Sequence, residues 1–337
     1  MDTQPQEHCP LCKEAPTIEA VTHHAVFGES LTVAFCGGCE LYYLTGLPSS
    51  DALQEYYSGE YFDEFETDSW RYRLKCSFAK MRANSQARFI LSGYEGQGPG
   101  RILEAGSCDG TFLSRFKNRG WETLGLEFND FMIASALKRF GLHLQKKDVM
   151  ELVPDEGLFD VIAFPHVLEH MREPVKVLEH CQRLLKPGGM IFIELPQSPL
   201  KHEAPEDDYS RYFHTTHLYD FRSKSLARLI EQAGLQSVQI DRFFYSIPAF
   251  LQSSSYQLAN TLMKGELVEK NLKGILTVFA GVLHLNWRNL MSGDSMERLD
   301  LKATWSGLGD NLRVLARPSK VNKVLATRVV EESPAKA

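Results

Sequence analysis

Glu104, Gly106 and Gly110 stand close together in the stretch RILEAGSCDGTFL at 101–113, where an apolar run ends in an acid and a glycine turn. Such a run reads as a buried strand, a tight turn and the start of a helix, the corner that holds a nucleotide cofactor in a doubly wound sheet. The spacing is E-x-G-x-x-x-G, not the G-x-G-x-x-G that seats a pyrophosphate on a helix N-terminus, so a phosphate fingerprint is absent. An acid two residues before the first glycine repels a phosphate and attracts an ammonium or a sulfonium. S-adenosylmethionine carries both cations and no phosphate.

The elements that must surround this corner follow in order. Residues 121–127 read as a second strand ending in Glu127, about 20 residues beyond the glycine turn, where a carboxylate accepts hydrogen bonds from ribose hydroxyls. Asp148 follows a further short run and reads either as a contact to an adenine amino group or as a solvated loop acid. Residues 158–164 read as a buried strand, PHVLEH at 165–170 as the opening of the next helix, and LLKPGG at 184–189 as a turn before a strand over 190–195.

Taken together, the E-x-G-x-x-x-G turn, Glu127, FDVIAFPHVLEH and LKPGG resemble the class I S-adenosylmethionine-dependent methyltransferases over residues 50–245. ILEAGSCDGTFL and HTTHLYDF are most similar to the sugar and small-molecule branch that carries an N-terminal zinc-binding segment. The resemblance implies an α/β fold: a Rossmann-like, seven-stranded doubly wound sheet with a small zinc-ribbon-like domain and a helical cap insertion. It implies a cofactor site of Glu104, Gly106, Cys108, Gly110, Glu127, Phe128, Asp148, Pro165 and His166. Cys108 departs from the small or amide residue of many relatives, and reads as lining the cofactor or as an ordinary buried thiol.

Among the seven cysteines, Cys9 and Cys12 form one C-x-x-C pair and Cys36 and Cys39 another, the spacing of a four-thiolate zinc site. Glycines at 37 and 38 suit the tight knuckle this site needs. A disulfide module and a redox dithiol are the alternatives, disfavoured by a cytoplasmic reading and by the matched pairs. His8, His23 and His24 read as surface residues, Cys76 and Cys181 as packing residues, and His170 as structural. A closed zinc site does no chemistry; it replaces a core that so short a segment can barely assemble.

The net charge of −6 gives no overall pull towards nucleic acid or an anionic membrane. The longest mostly apolar run, 274–285, is too short to span a bilayer, and a basic-then-apolar leader is absent, so the expectation is a cytoplasmic protein. The expected organisation is a zinc-binding domain at 1–48, a helical linker at 49–95, the core at 96–245, a helical cap at 246–309, a final core strand at 310–320 and a tail at 321–337. A helix is expected over 52–57 with Ser50 or Asp51 as N-cap, and a cationic one over 70–92 whose basic residues read as a solvated face or an anion contact. The apolar spacing in 246–309 fits a cap over the acceptor, a homodimer surface or a membrane-surface contact.

Acceptor chemistry belongs outside the carboxyl ends of the parallel strands, where residues 196–221 are rich in ionisable and aromatic side chains. Asp207, Asp208, Arg211 and Tyr212 are there to hold an acceptor. His217 resembles the base of the sugar methyltransferases, or else caps or packs, and His214 is the second histidine near the acceptor. A histidine suits a hydroxyl whose proton leaves as the methyl arrives. His214 and Thr216 replace residues of the relatives that methylate carbon, which leaves an oxygen or a nitrogen acceptor at least as well supported as carbon, with oxygen slightly favoured. The expected function is methyl transfer to a small hydroxylated acceptor such as a sugar, nucleotide-sugar, glycan or natural product. The alternatives are an RNA base methyltransferase docked through the zinc module and a non-catalytic cofactor-binding interaction protein.

Overall fold

The computed structural model describes residues 8–16, 24–26, 29–31, 33–58, 70–196, 217–243 and 311–319. The chain divides into two compact units, residues 1–241 with 312–337 and residues 242–311. The cap expected at 246–309 and the tail at 321–337 lie outside the described residues.

The core is an α/β layer structure. Its sheet holds β5 (Arg101–Ala105), β6 (Glu122–Leu126), β7 (Phe159–Pro165), β8 (Leu185–Pro196), β10 (Leu235–Phe243) and β11 (Asn311–Pro318) in the order β10-β11-β8-β7-β5-β6. β5 pairs in parallel with both β6 and β7, and β7 with β8. Chain order reverses at β5, so the Gly106 turn leaves the sheet at the topological switch point.

Seven strands are expected and six are present among the described residues. At the free edge of β6 the chain makes a single parallel bridge, Leu126 to Gln145. Lys146 and Lys147 follow, and Asp148 then opens a short 3-10 turn, so the edge ends in charge rather than in a ladder. The turn expected at 184–189 is instead absorbed into β8, where the register slips between Phe159–Leu185 and Val161–Met190. Gly189 permits this, since a Cβ there would lie 3.0 Å from the Phe159 carbonyl.

Helices α2 (Trp70–Gly93), α3 (Leu113–Lys117), α4 (Asp130–Phe140), α5 (Pro174–Gln182) and α6 (Ser223–Gln232) flank the sheet. On α2 the buried Ala83, Ala87, Phe89 and Ile90 share a cluster with Phe112, Phe116 and Phe192, while Lys80 and Arg82 are exposed. No helix of the described residues is long and apolar enough to cross a membrane. The helix expected to open at 165–170 starts later, at Pro174, because Pro fits the first helical turn and residues 168–170 form only a 3-10 turn.

Ahead of the core, β1 (His24–Val26) pairs with β2 (Glu29–Leu31), and β3 (Val33–Cys36) with β4 (Leu41–Leu44). Helix α1 (Ser50–Ser58) follows and is capped by Ser49, whose Oγ accepts from the Ala52 amide at 3.1 Å, one residue before the expected Ser50 or Asp51. β4 also pairs with β9 (Tyr219–Asp220), Tyr42 opposite Asp220 and Tyr43 opposite Tyr219.

Candidate active site

The glycine turn after β5 is held in an unusual conformation. Gly106 and Gly110 take φ of +63° and +75°, and Cys108 between them takes +48°, so three alternate residues occupy the left-handed region. At Gly106 a Cβ would lie 2.8 Å from Val167 Cγ2, and at Gly110 one would lie 2.9 Å from Leu142 Cδ1. Both glycines are therefore required by close approach as well as by backbone sign. Non-glycine Cys108 is held there by its amide, which donates to Glu127 Oε2 at 2.8 Å.

Glu127 binds the turn to the next helix. Its Oε1 accepts from the amides of Phe128 at 2.8 Å and Asn129 at 2.9 Å. Burial raises its pKa against the lowering effect of these three amides. Asn129 caps α4 by accepting from the Met132 amide, and its Nδ2 donates to the Ser58 carbonyl at 2.9 Å, fastening the end of α1 to the start of α4. A carboxylate has about four acceptor positions. Three are taken by backbone, so the ribose contact expected of Glu127 would use what remains.

Glu104 is buried, and its Oε2 has no hydrogen-bond partner. Burial, with the Asp109 and Glu127 carboxylates adding to it, pushes its pKa well above the ordinary range. A buried carboxyl with one oxygen lacking a partner, set near other acids and eased by the Ser107 hydroxyl and the Arg82 guanidinium, is an environment a cationic ligand relieves, which fits the ammonium of S-adenosylmethionine. A raised folded pKa means that the stability tied to neutral Glu104 is complete below the unfolded pKa and is lost as pH rises through the folded one. Cofactor-free protein is therefore expected to lose thermal stability on the alkaline side, and added S-adenosylmethionine to restore more of it at pH 9 than at pH 6. A pH-independent shift in differential scanning fluorimetry would count against this role.

The other expected residues distribute as follows. Phe128 and Pro165 are half-buried at the ends of β6 and β7. Asp148 is committed to a capping box, accepting from the Met150 amide at 2.8 Å while Glu151 accepts from its own amide. Cys108 Sγ lies 3.7 Å from Met132 Sδ and burial raises its pKa, the environment of a neutral thiol. His214 lies outside the described residues, with the rest of 197–216.

His166 leaves β7 with φ of +58° and enters a buried network that sequence reading missed. Its Nε2 lies 3.0 Å from Glu194 Oε1, and its pKa is lowered by burial despite that acid. Glu194 also accepts from Gln86 Nε2 at 2.6 Å and pairs with the Arg313 guanidinium, which in turn donates to Ser85 Oγ at 2.9 Å. Burial works to raise the Glu194 pKa, and Arg313 and His166 overcome it, so the net shift is downward. Three residues on, Glu169 is buried with neither carboxylate oxygen hydrogen-bonded, and burial pushes its pKa up to about 8. His217 is half-buried with its ring 4.8 Å from that of His170, whose Nδ1 is hydrogen-bonded to the Tyr57 hydroxyl at 2.7 Å. His217, His170 and Glu169 thus meet beyond the carboxyl end of β7, and Val167 of the same loop touches the Gly106 turn.

Residues 78–240 match the family model described as a methyltransferase domain. The chain carries a class I S-adenosylmethionine-dependent methyltransferase domain. Its curated relatives include ubiquinone biosynthesis O-methyltransferases from Acinetobacter baumannii (strain AYE), 27% identical over 27% of this chain and 42% of that protein, and from Thiobacillus denitrificans, 28% identical over 43% and 68%. The matched stretch spans less than half the length of the Acinetobacter relative. A crystal structure of a methyltransferase from Thermotoga maritima is 17% identical and covers 77% of this chain and 99% of its own, with a TM-score of 0.48.

Ahead of the methyltransferase domain the four expected cysteines come together. Cys9 Sγ lies 3.5 Å from Cys39 Sγ and Cys12 Sγ 3.3 Å from Cys36 Sγ, and all four sulfurs fall within 4.8 Å of one another. Donors of a tetrahedral zinc site at about 2.3 Å from the metal are about 3.8 Å apart, so the set fits zinc. The two knuckles match: Lys13 and Glu40, each just after the second cysteine, take φ of +62°, and their amides donate to the Cys9 and Cys36 carbonyls at 3.0 and 2.7 Å. The left-handed residue is thus the one after each pair, and not Gly37 or Gly38.

Replacing Glu127 with alanine removes the acceptor for the Cys108, Phe128 and Asn129 amides together with the ribose contact expected of it. Hydrogen bonds to a charged group are worth about 1.5–3 kcal/mol, so a weakening of cofactor affinity by roughly 10- to 150-fold is expected by calorimetry.

Proposed function

We propose that this chain transfers a methyl group from S-adenosylmethionine to a hydroxyl of a small acceptor, such as a sugar, nucleotide-sugar, glycan or natural product. The cofactor would be held by Glu104, Gly106, Cys108, Gly110, Glu127 and Phe128, with Asp148 at the adenine and Pro165 and His166 beside the methionyl end. It would supply an activated methyl group, leaving the protein to align, to exclude water and to handle one proton. One observation carries the acceptor assignment: His217, distant in sequence, packs on His170 in the loop that abuts the glycine turn. Those two imidazoles are the proton-handling groups at the acceptor, with His214 as the further histidine of the same segment. The relatives named for O-methylation support oxygen as the acceptor atom.

Zinc held by Cys9, Cys12, Cys36 and Cys39 would be structural, its coordination closed by four thiolates. Its contribution to function passes through β4, which pairs with β9 directly after His217.

Methyl-labelled S-adenosylmethionine incubated with purified protein and fractionated cell extract tests the reading. Label is expected in glycan or small-metabolite fractions; label in nuclease-sensitive material would replace the acceptor assignment with RNA.

A further inference from the structure

The position of Glu169 is difficult to account for by packing alone. It sits in a 3-10 turn, it is 1% exposed, and both carboxylate oxygens lack a hydrogen-bond partner. Leaving a buried carboxyl without partners costs several kcal/mol in an apolar site, so such a group normally faces a proton, a cation or a metal. The nearest groups to it are imidazole nitrogens, His170 Nε2 and His166 Nδ1, each 3.8 Å from Glu169 Oε1, while the Glu194 and Asp220 carboxylates and the Arg82 guanidinium act on it from farther off. The His217 ring completes the enclosure, and one ligand atom from each of Glu169, His170 and His217 lies within 4.8 Å of the others.

We infer that Glu169, His170 and His217 form a second metal site, a two-histidine, one-carboxylate set for a divalent transition ion. Imidazole and carboxylate together suit zinc, iron(II) and cobalt(II), and three protein ligands leave a position open for an oxygen ligand. Tyr57 supplies the outer support such sites use. Its hydroxyl lies 2.7 Å from His170 Nδ1, and in the tautomer in which Nδ1–H donates to it the Nε2 lone pair is left for a metal. Donors of a loaded tetrahedral site at about 2.0–2.1 Å are about 3.3 Å apart. The 3.8 Å between His170 Nε2 and Glu169 Oε1 is within about 0.5 Å of this.

The ion's role as a docking point for the acceptor hydroxyl rests on the methyl-transfer reading above; the site itself does not. It changes what His170 and His217 do: with the ion in place they would be ligands and not bases, the metal would lower the pKa of the bound hydroxyl, and its proton would leave to solvent. The zinc module reaches this second site through Leu44, whose amide donates to the Leu218 carbonyl at 3.0 Å, one residue from His217.

The test is metal content. Full-length protein equilibrated with zinc and freed of loose ion by gel filtration is expected to hold two equivalents per chain by mass spectrometry. The pair of substitutions His170→Ala and His217→Ala should reduce this to one, and Glu169→Gln, which keeps the shape of the buried side chain, should do the same if the double variant folds poorly. Cobalt(II) is the second probe: one equivalent should show thiolate-to-cobalt charge transfer and the other should not. A single equivalent in the unaltered protein, or a second one that survives both variants, overturns the inference and leaves Glu169 holding a proton. Calorimetric binding of S-adenosylmethionine to the same samples separates the failures. Loss of the second metal with cofactor binding retained concerns this site alone, whereas absence of cofactor binding in the unaltered protein removes the methyl-transfer reading and leaves the metal result standing.

Discussion

Replacing Arg313 with alanine is expected to lower the free energy of unfolding by roughly 3–5 kcal/mol, because it strands Glu194 as an uncompensated buried charge. Glu194 is fully buried and is paired with Arg313, which stays charged at every working pH; of its other partners, Gln86 is neutral and burial holds His166 below its usual pKa. For a unit of this size a melting point lower by about 10 °C follows from 2–4 °C per kcal/mol. The pH dependence should change with it. In the unaltered protein the folded pKa of Glu194 is depressed, so its contribution is present above the unfolded carboxylate pKa and is lost as pH falls through the folded value. In the variant, burial acts without Arg313, the folded pKa rises, and acid should now stabilise the protein relative to neutral pH. Joint replacement of Arg313 and Glu194 with methionine should recover most of the loss, since an apolar pair carries no desolvation penalty. A variant that melts within 2 °C of the parent would show that water reaches Glu194.

This pair also shows what the sequence could and could not disclose. The corner from Arg101 to Leu113 is legible because everything that makes it is local: an apolar strand, an acid and glycines whose positive φ and close contacts are met within one turn. The cysteine knuckles are legible by type and spacing, although Lys13 and Glu40, and not the glycines at 37 and 38, carry the left-handed conformation. Glu194 and Arg313 meet only because β11 inserts between β10 and β8, a pairing fixed by sheet order and by no local pattern. His217 likewise owes its place to β9 joining the hairpin β3-β4, and Asn129 to the end of α1. The misplaced helix at 165–170 has the same origin. Its apolar spacing is helical, but the turn is occupied by packing against Gly106 and by the His166 amide donating to the Glu194 carbonyl. A buried Glu in LEH was the one signal that could have marked Glu169: an acid amid apolar residues at a strand's carboxyl end.

Loss of the cysteine site should silence the enzyme without abolishing cofactor binding. Cys36→Ser removes one of four thiolates from a module whose fold has few other resources, and structural zinc contributes about 10–16 kcal/mol to domains of this kind. The hairpin β3-β4 would then lose its anchor at Cys36 and Cys39, and with it the strand that pairs with β9. Tyr43 and Tyr219, both fully buried and opposite one another, transmit the change to Leu218 and His217. Misplacement of a reacting group by about 1 Å costs on the order of a hundredfold in rate, so kcat should fall by about that factor. Glu104, Glu127 and the Gly106 turn are fixed by β5, β6 and α4 and not by the hairpin, so the dissociation constant for S-adenosylmethionine should move by less than about threefold, well inside one hydrogen bond's worth. Zinc content, turnover of the labelled acceptor and calorimetric cofactor binding on the same preparation decide the matter. Turnover that survives zinc loss would reduce the module to an appendage, whereas cofactor binding lost in parallel would mean that the link from Ser58 to Asn129, and not the β4–β9 pairing, carries the coupling.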